Sequence, residues 1–187
     1  VAGNQVVRDS IPALADLASH IGDPAVRNRG TIGGSIANAD PAADYPAAVL
    51  GLNAEVQTNQ RTISADDFFV DIFETALEET EIVTAVRFPT PDKAAYMKFP
   101  NPASRYAIVG VMVAVFGSEI RVAVTGAGPN AFRVQEMESA LADSFIPEAI
   151  QSISISDDGL NRDIHASAEY RAHLVNVMAR RAVTKAG

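Results

Sequence analysis

Cysteine is absent from the 187 residues. That removes disulfides, thiolate nucleophiles, iron–sulfur ligation and thiolate zinc sites, and it fits a reducing compartment, so a cytoplasmic location is expected. Basic residues are in deficit: 15 Lys+Arg stand against 23 Asp+Glu, a net charge of −8. A general nucleic-acid binder needs a basic footprint, so the charge argues against that class. Long apolar runs are missing too. The longest, such as Ala107–Phe116, fall far short of the ~20 residues that span a bilayer. The first residues have neither a basic start nor an apolar stretch, so no signal peptide is expected of them. Histidine is scarce: only His20, His165 and His173 occur. The last two lie about two turns, ~12 Å, apart on a helix, too far for one metal. No G-x-S-x-G elbow exists, and no histidine sits in a nucleophile–base pattern, so a hydrolase is poorly supported. No catalytic side chain and no metal ligand is nominated.

What is present is enough for one good core or two small ones, with a normal apolar content of 48%. Ile11, Leu14, Leu17, Ala18 and Ile21 recur at helical spacing and predict a helix over 12–21, with Pro12 in its first turn and Gly22-Asp23-Pro24 ending it. Asp40-Pro41 reads as N-cap plus first-turn proline of a short helix over 42–50. Alternation predicts strands at 52–56, near 61–64 and at 82–88. Asp66-Asp67 reads as a cap and Glu78-Glu79 as a solvated turn. Pro89-Thr90-Pro91-Asp92 is the best domain boundary, because proline fixes the backbone and donates nothing to a sheet. Strands follow near 94–99, 107–116 and 119–125, with Gly117-Ser118 suited to a two-residue II′ hairpin. Helices are expected at 135–141, 147–152 and 166–183, the last with Tyr170, Leu174, Val177, Met178 and Arg181 on one face. The second half therefore reads as a three-strand sheet covered by helices, an α+β arrangement.

The most informative stretch is Arg27–Asp44, RNRGTIGGSIANADPAAD. Thr31-Ile32-Gly33-Gly34-Ser35 sets two glycines between two hydroxyls, with Asp44 just beyond. Such a turn brings bare backbone N–H groups close to a phosphate oxygen, since glycine permits the backbone angles and leaves no side chain in the way. An ordinary Gly-Gly turn fits the same residues. Arg27 and Arg29 flank the loop and suit phosphate contact or packing equally. Tyr106 fits a place near a ring or plain core packing.

The stretch VRNRGTIGGSIANADPAAD, continued through ADDFFVDIFETALEETEIVTAVRFP, RYAIVGVMVAV, TGAGPNAFRV and DIHASAEYRAHLVNVMARRAV, resembles the FAD-binding (medium) subunit of the molybdenum hydroxylases. Relatives of that kind serve carbon monoxide, xanthine and aldehyde dehydrogenases. The resemblance covers nearly the whole chain in the family's order. It implies the C-terminal half of a PCMH-type FAD-binding domain over 1–89, then a small domain over 90–187 with a three-stranded antiparallel sheet and helices. It implies FAD as cofactor, with Thr31, Ile32, Gly33, Gly34 and Ser35 on its pyrophosphate and the neighbouring ribityl region. By resemblance Asp44 binds a polar edge of the cofactor, a sugar hydroxyl; a solvated acid in a first helical turn is the alternative. Lys98 aligns with a lysine near the flavin, where a cation stabilises the reduced, anionic ring; an exposed strand lysine is the alternative. Val83 aligns with a cofactor contact or is a buried strand residue.

The resemblance further implies an iron–sulfur subunit and a molybdenum-cofactor subunit as partners, with electrons passing from iron–sulfur clusters through FAD to an external acceptor. Members of the family carry another glycine-rich loop upstream, and nothing like it precedes Val1. The expectation is a chain missing the N-terminal half of its FAD domain, which folds but binds FAD weakly or not at all by itself. The rival readings are an assembly or interaction module that holds no FAD, and a flavin reductase-like or berberine-type oxidase on a related fold.

Overall fold

The computed structural model describes residues 1–187. Five short helices come first: α1 (Gln5–Ser10), α2 (Pro12–His20), α3 (Pro24–Arg29), α4 (Ile32–Asn38) and α5 (Tyr45–Gly51). Strands β1 (Glu55–Thr58), β2 (Thr62–Ser64) and β5 (Val83–Arg87) form an antiparallel sheet in the order β2-β1-β5. Between them lie helix α6 (Ala65–Phe68) and a small hairpin, β3 (Phe69–Asp71) with β4 (Glu74–Thr75). The second half holds β6 (Lys93–Pro100), β7 (Ala107–Phe116), β8 (Glu119–Thr125), β9 (Phe132–Arg133), α7 (Gln135–Asp143), a 3₁₀ turn (Pro147–Ile150) and α8 (Ala168–Ala186).

Several expectations need correction. The second sheet has four strands, in the order β6-β7-β8-β9, because Phe132-Arg133 adds a two-residue edge that pairs with Val124 and Ala123. Asp23-Pro24, read as a helix end, instead starts α3: the Asp23 carboxylate accepts the Val26 N–H at 3.0 Å. Asp40-Pro41, read as a helix start, does not open one, and α5 begins at Tyr45. The reason is tertiary. The carbonyls that would accept the first helical bonds are taken by the second sheet: Pro41 O accepts Gly126 N at 2.8 Å and Ala42 O accepts Ala107 N at 3.1 Å. The buried face of α8 is also rotated from the expected one. Arg171, Leu174, Val175, Met178 and Ala182 are inside, while Tyr170 and Arg181 face solvent.

β7 is a run of apolar residues because both faces of the second sheet are covered. Met112 and Ala114, with Ala123 of β8, pack under the Ala47-Ala48 side of α5 and belong to the core of the first half. Val109, Val111 and Val113, with Val122 and Val124, face the other way and pack against Met137, Leu141, Leu174 and Met178. Side chains alternate across a strand, so one sheet serves two cores. The turn from Phe116 to Glu119 has two residues, with Gly117 at φ 59° and no positive φ at Ser118, as a II′ hairpin requires.

The acid that matters near residue 80 is Glu81 rather than Glu78 or Glu79. The Arg61 guanidinium bonded to it, then the Glu78 N–H and the Thr58 hydroxyl, hold its carboxyl down at about 2, against an ordinary 4.5. A depressed carboxylate contributes stability above its unfolded pKa and loses it as pH falls through the folded one. Urea unfolding at stepped pH is therefore expected to show stability declining between about 4.5 and 2. Glu81→Gln should flatten that slope, and an unchanged slope would remove Glu81 as its source.

Candidate functional site

The glycine motif is the start of a helix. Thr31 is the N-cap of α4: its Oγ1 accepts the Gly34 N–H at 3.0 Å and its carbonyl accepts the Ser35 N–H at 3.0 Å. The N–H groups of Ile32 and Gly33 then open the first turn, where no intrahelical carbonyl stands in front of them. A Cβ on Gly34 would stand 3.0 Å from Thr31 Oγ1, so the missing side chain is what lets the threonine fold back as a cap. A Cβ on Gly33 would meet Val83 Cγ1 at 3.7 Å, which places the edge of β5 beside the motif.

Thr31, Ile32 and Ser35 line a cavity of about 400 Å³ together with Ile21, Arg27 and Tyr45. A second cavity of about 510 Å³ is lined by His20, Tyr96, Lys98 and Arg105, and it shares Ile21 and Arg27 with the first. Arg27 is anchored between them, with Nη1 donating to Ser19 O and Ile21 O at 3.2 and 2.8 Å, which caps the end of α2. The loop Asn101–Arg105 edges the second cavity. Asn101 Oδ1 accepts the N–H groups of Ala103 and Ser104, and Arg105 sits at φ 62°, a left-handed angle unusual for a residue with a side chain.

Behind the second cavity lies a buried trio. Asp44 Oδ1 accepts the Tyr96 hydroxyl at 2.5 Å and Oδ2 accepts Lys98 Nζ at 2.9 Å. Lys98 also donates to His20 O at 3.0 Å. The side chains of Lys98 and Asp44 are 6% and 2% exposed. Asp44 is thus not the solvated acid of one reading, and Lys98 is not an exposed strand lysine. Burial pushes the Asp44 carboxyl up from its ordinary value, and the Lys98 charge and the Tyr96 bond only partly oppose that. Burial, then the Asp44 charge, pushes the Tyr96 hydroxyl well above its ordinary range.

The whole DPAAD segment is a strap across the two halves. Besides the Pro41 and Ala42 bonds, Thr125 Oγ1 lies 2.6 Å from Ala43 O and 3.1 Å from Pro41 O. Backbone and carboxylate of residues 41–44 are therefore held by β6, the start of β7 and the end of β8. Sequence reasoning missed Tyr96. The signal was there: residues 96 and 98 are two apart on a strand, so both side chains leave the same face. It also misread Asp66, which is no simple cap. It accepts from Arg121 Nη2 and from Arg133 Nη1, and Arg121 donates on to Leu50 O at 2.9 Å, so the acid ties α6 to β8 and β9. Tyr106 is 42% exposed rather than packed in the core. No helix is long and apolar enough to cross a membrane.

A glycine motif that starts a helix beside a cavity, followed by a sheet-and-helix domain strapped to it, fits a cofactor-binding subunit. Residues 1–91 match the FAD binding domain in molybdopterin dehydrogenase, and residues 94–186 match the CO dehydrogenase flavoprotein C-terminal domain. The nicotine 6-hydroxylase medium subunit of Paenarthrobacter nicotinovorans is 35% identical over 201 residues, covering 100% of this chain and 71% of that protein. The carbon monoxide dehydrogenase medium chain of Hydrogenophaga pseudoflava is 34% identical, covering 97% and 69%. The solved structure of carbon monoxide dehydrogenase from Hydrogenophaga pseudoflava, lacking the Mo-pyranopterin moiety, superposes with a TM-score of 0.84 at 30% identity, over 99% of this chain and 70% of that one. The chain belongs to the family of FAD-binding medium subunits of molybdenum-dependent dehydrogenases, oxidoreductase components of multi-subunit enzymes, with FAD as cofactor.

Proposed function

We propose that this chain carries FAD between an iron–sulfur partner subunit and an external electron acceptor, with the pyrophosphate at Thr31–Ser35, Val83 against the cofactor and Lys98 toward the flavin. The same reading sets it in the cytoplasm beside a molybdenum-cofactor subunit that oxidises the substrate. The observation that carries it is the adjacency of the two cavities. The two cavities share Ile21 and Arg27 and are therefore neighbours, which an elongated ligand such as FAD would span. The residues fit the group, because Thr31, Ile32 and Ser35 line the first cavity and the Ile32 and Gly33 N–H groups open α4 with no intrahelical acceptor.

FAD, when bound, takes up electrons and passes them on; the chemistry is the cofactor's, and a protein of this kind binds, orients and tunes it. Here the Thr31 cap presents the first-turn N–H groups of α4. Anions bind such donors through charge-assisted bonds. The Lys98 ammonium supplies a fixed positive charge, partly neutralised by Asp44, at the far end. Asp44 itself stands behind that charge, both oxygens engaged by Tyr96 and Lys98.

The test is Gly34→Val in the assembled enzyme. The branched side chain meets Thr31 Oγ1, displaces the cap and disorders the first-turn N–H groups that it fixes. Loss of two such bonds, each roughly 1.5–3 kcal/mol, weakens FAD by at least ~100-fold. Flavin content on purification and fluorescence titration read it directly. Unchanged flavin affinity would sink the pyrophosphate assignment.

A further inference from the structure

Tyr96 is a fully buried phenol that reaches Asp44 by crossing β7 at one place, Gly110. Lys98 pairs with Gly110 across the β6–β7 ladder, and Gly110 pairs with Thr125 across β7–β8. A Cβ on Gly110 would overlap the Tyr96 hydroxyl, and would stand 2.9 Å from its Cζ and 3.0 Å from Thr125 Cγ2. The glycine is therefore a notch in the middle strand, closed on one side by Thr125, whose hydroxyl is bound to the Asp44-bearing strap. Nothing else on the sheet offers the Asp44 Oδ1 a donor.

We propose that Tyr96 is a positioning residue for Lys98: its hydroxyl, seated in the Gly110 notch, holds the Asp44 carboxylate, and the carboxylate holds the ammonium in place and in charge balance. This rests on the reading that Lys98 lies toward the flavin. Two buried side chains and a glycine then set the electrostatic field at the cofactor without touching it. Loss of the hydroxyl leaves Oδ1 without a partner in a site shut from water, which favours the protonated acid. Once Asp44 is neutral, the Lys98 charge is uncompensated, and a bare cation favours the more negative, reduced cofactor. The other charged or titratable groups facing the trio are His20 at the end of α2, Arg27 and Arg105 across the cavity, Tyr45 beside Asp44, and the Lys185–Asp16 pair, whose Lys185 Nζ lies 3.4 Å from Tyr96 O.

The experiment measures flavin midpoint potential against pH in the holoenzyme carrying Tyr96→Phe, with His20→Gln added to remove the neighbouring imidazole. The expected result is a steeper rise of potential on acidification than in the unaltered enzyme, abolished when Asp44→Asn is combined with Tyr96→Phe. Gly110→Ala, by pushing the hydroxyl out of its notch, should give the same change of profile, and should cost less stability in the Tyr96→Phe background than alone. Lys98→Gln separates the two levels of the argument. If Lys98→Gln lowers the potential while Tyr96→Phe leaves the profile unaltered, the positioning role is overturned and the place of Lys98 stands. If neither substitution moves the potential, Lys98 does not face the flavin, and the proposal is overturned with that reading.

Discussion

Lys98→Met is expected to destabilise the chain by about 3–5 kcal/mol near pH 7, the usual cost of stranding one member of a buried ion pair. The lysine leaves behind a carboxylate that is 2% exposed, with only the Tyr96 hydroxyl to satisfy it. The sign of the pH response identifies the culprit. Burial already raises the Asp44 carboxyl above 3.8, and Lys98 is the main force pulling it back. A group whose folded pKa is raised contributes stability that is full below its unfolded value and is lost as pH rises through the folded one. Without Lys98 that loss extends to higher pH, so the deficit of the Met variant should shrink on acidification. Asp44→Asn/Lys98→Met should be more stable at neutral pH than Lys98→Met alone, since the neutral amide has no ion to desolvate. Denaturant melts of the three proteins at several pH values check this. A pH-independent deficit would mean that the lost packing of the lysine stem, rather than the orphaned carboxylate, is responsible.

Arg171→Met is the second large effect, expected at about 3–5 kcal/mol, a fall of roughly 10 °C in melting midpoint. Arg171 is buried in the first turn of α8, beside the start of β7 and the residue that follows β8. Its Nη1 donates to Ile108 O at 2.7 Å and Gly126 O at 3.0 Å, and its Nη2 donates to Asp163 at 2.7 Å. Methionine fills much of the volume but leaves the Ile108 carbonyl facing it without that donor, and unsatisfied buried acceptors are costly. The Gly126 N–H is the group that binds Pro41 O, so the damage lies one residue from the strap. Asp163→Asn should cost far less, because that carboxylate is 48% exposed and solvent replaces the ion pair. An Arg171→Met deficit below about 1 kcal/mol would show that the carbonyls find other donors.

Much of this architecture was legible beforehand because it rests on local chemistry. Strand β7 was bounded by its apolar run, and its hairpin to β8 by Gly117-Ser118, whose angles only a few residues tolerate. The α2 helix declared itself by apolar spacing over 12–21, one residue beyond its observed end at His20. Thr31 and the two glycines read as a turn with bare N–H groups, and the structure makes them the capped start of α4. The two Asp-Pro pairs show where local reading stops. Both carry the same helix-start signal, yet Asp23-Pro24 opens α3 while Asp40-Pro41 does not open a helix. What separates them is which carbonyls a distant sheet has claimed.

The sequence by itself determined the family, the succession of most elements and the glycine motif at the start of α4, because patterning, turn chemistry and motif spacing act over a few residues. Only the tertiary structure decided the environment of Asp44. Its hydrogen-bonding partners lie 52 and 54 residues away on β6. No periodicity reveals that a glycine on the next strand leaves room for a tyrosine to reach it. Long-range burial seated an acid that the sequence left open between a cofactor contact and a solvated turn in a closed Tyr96–Asp44–Lys98 cluster, since a carboxylate taken out of water must be paired where it lies.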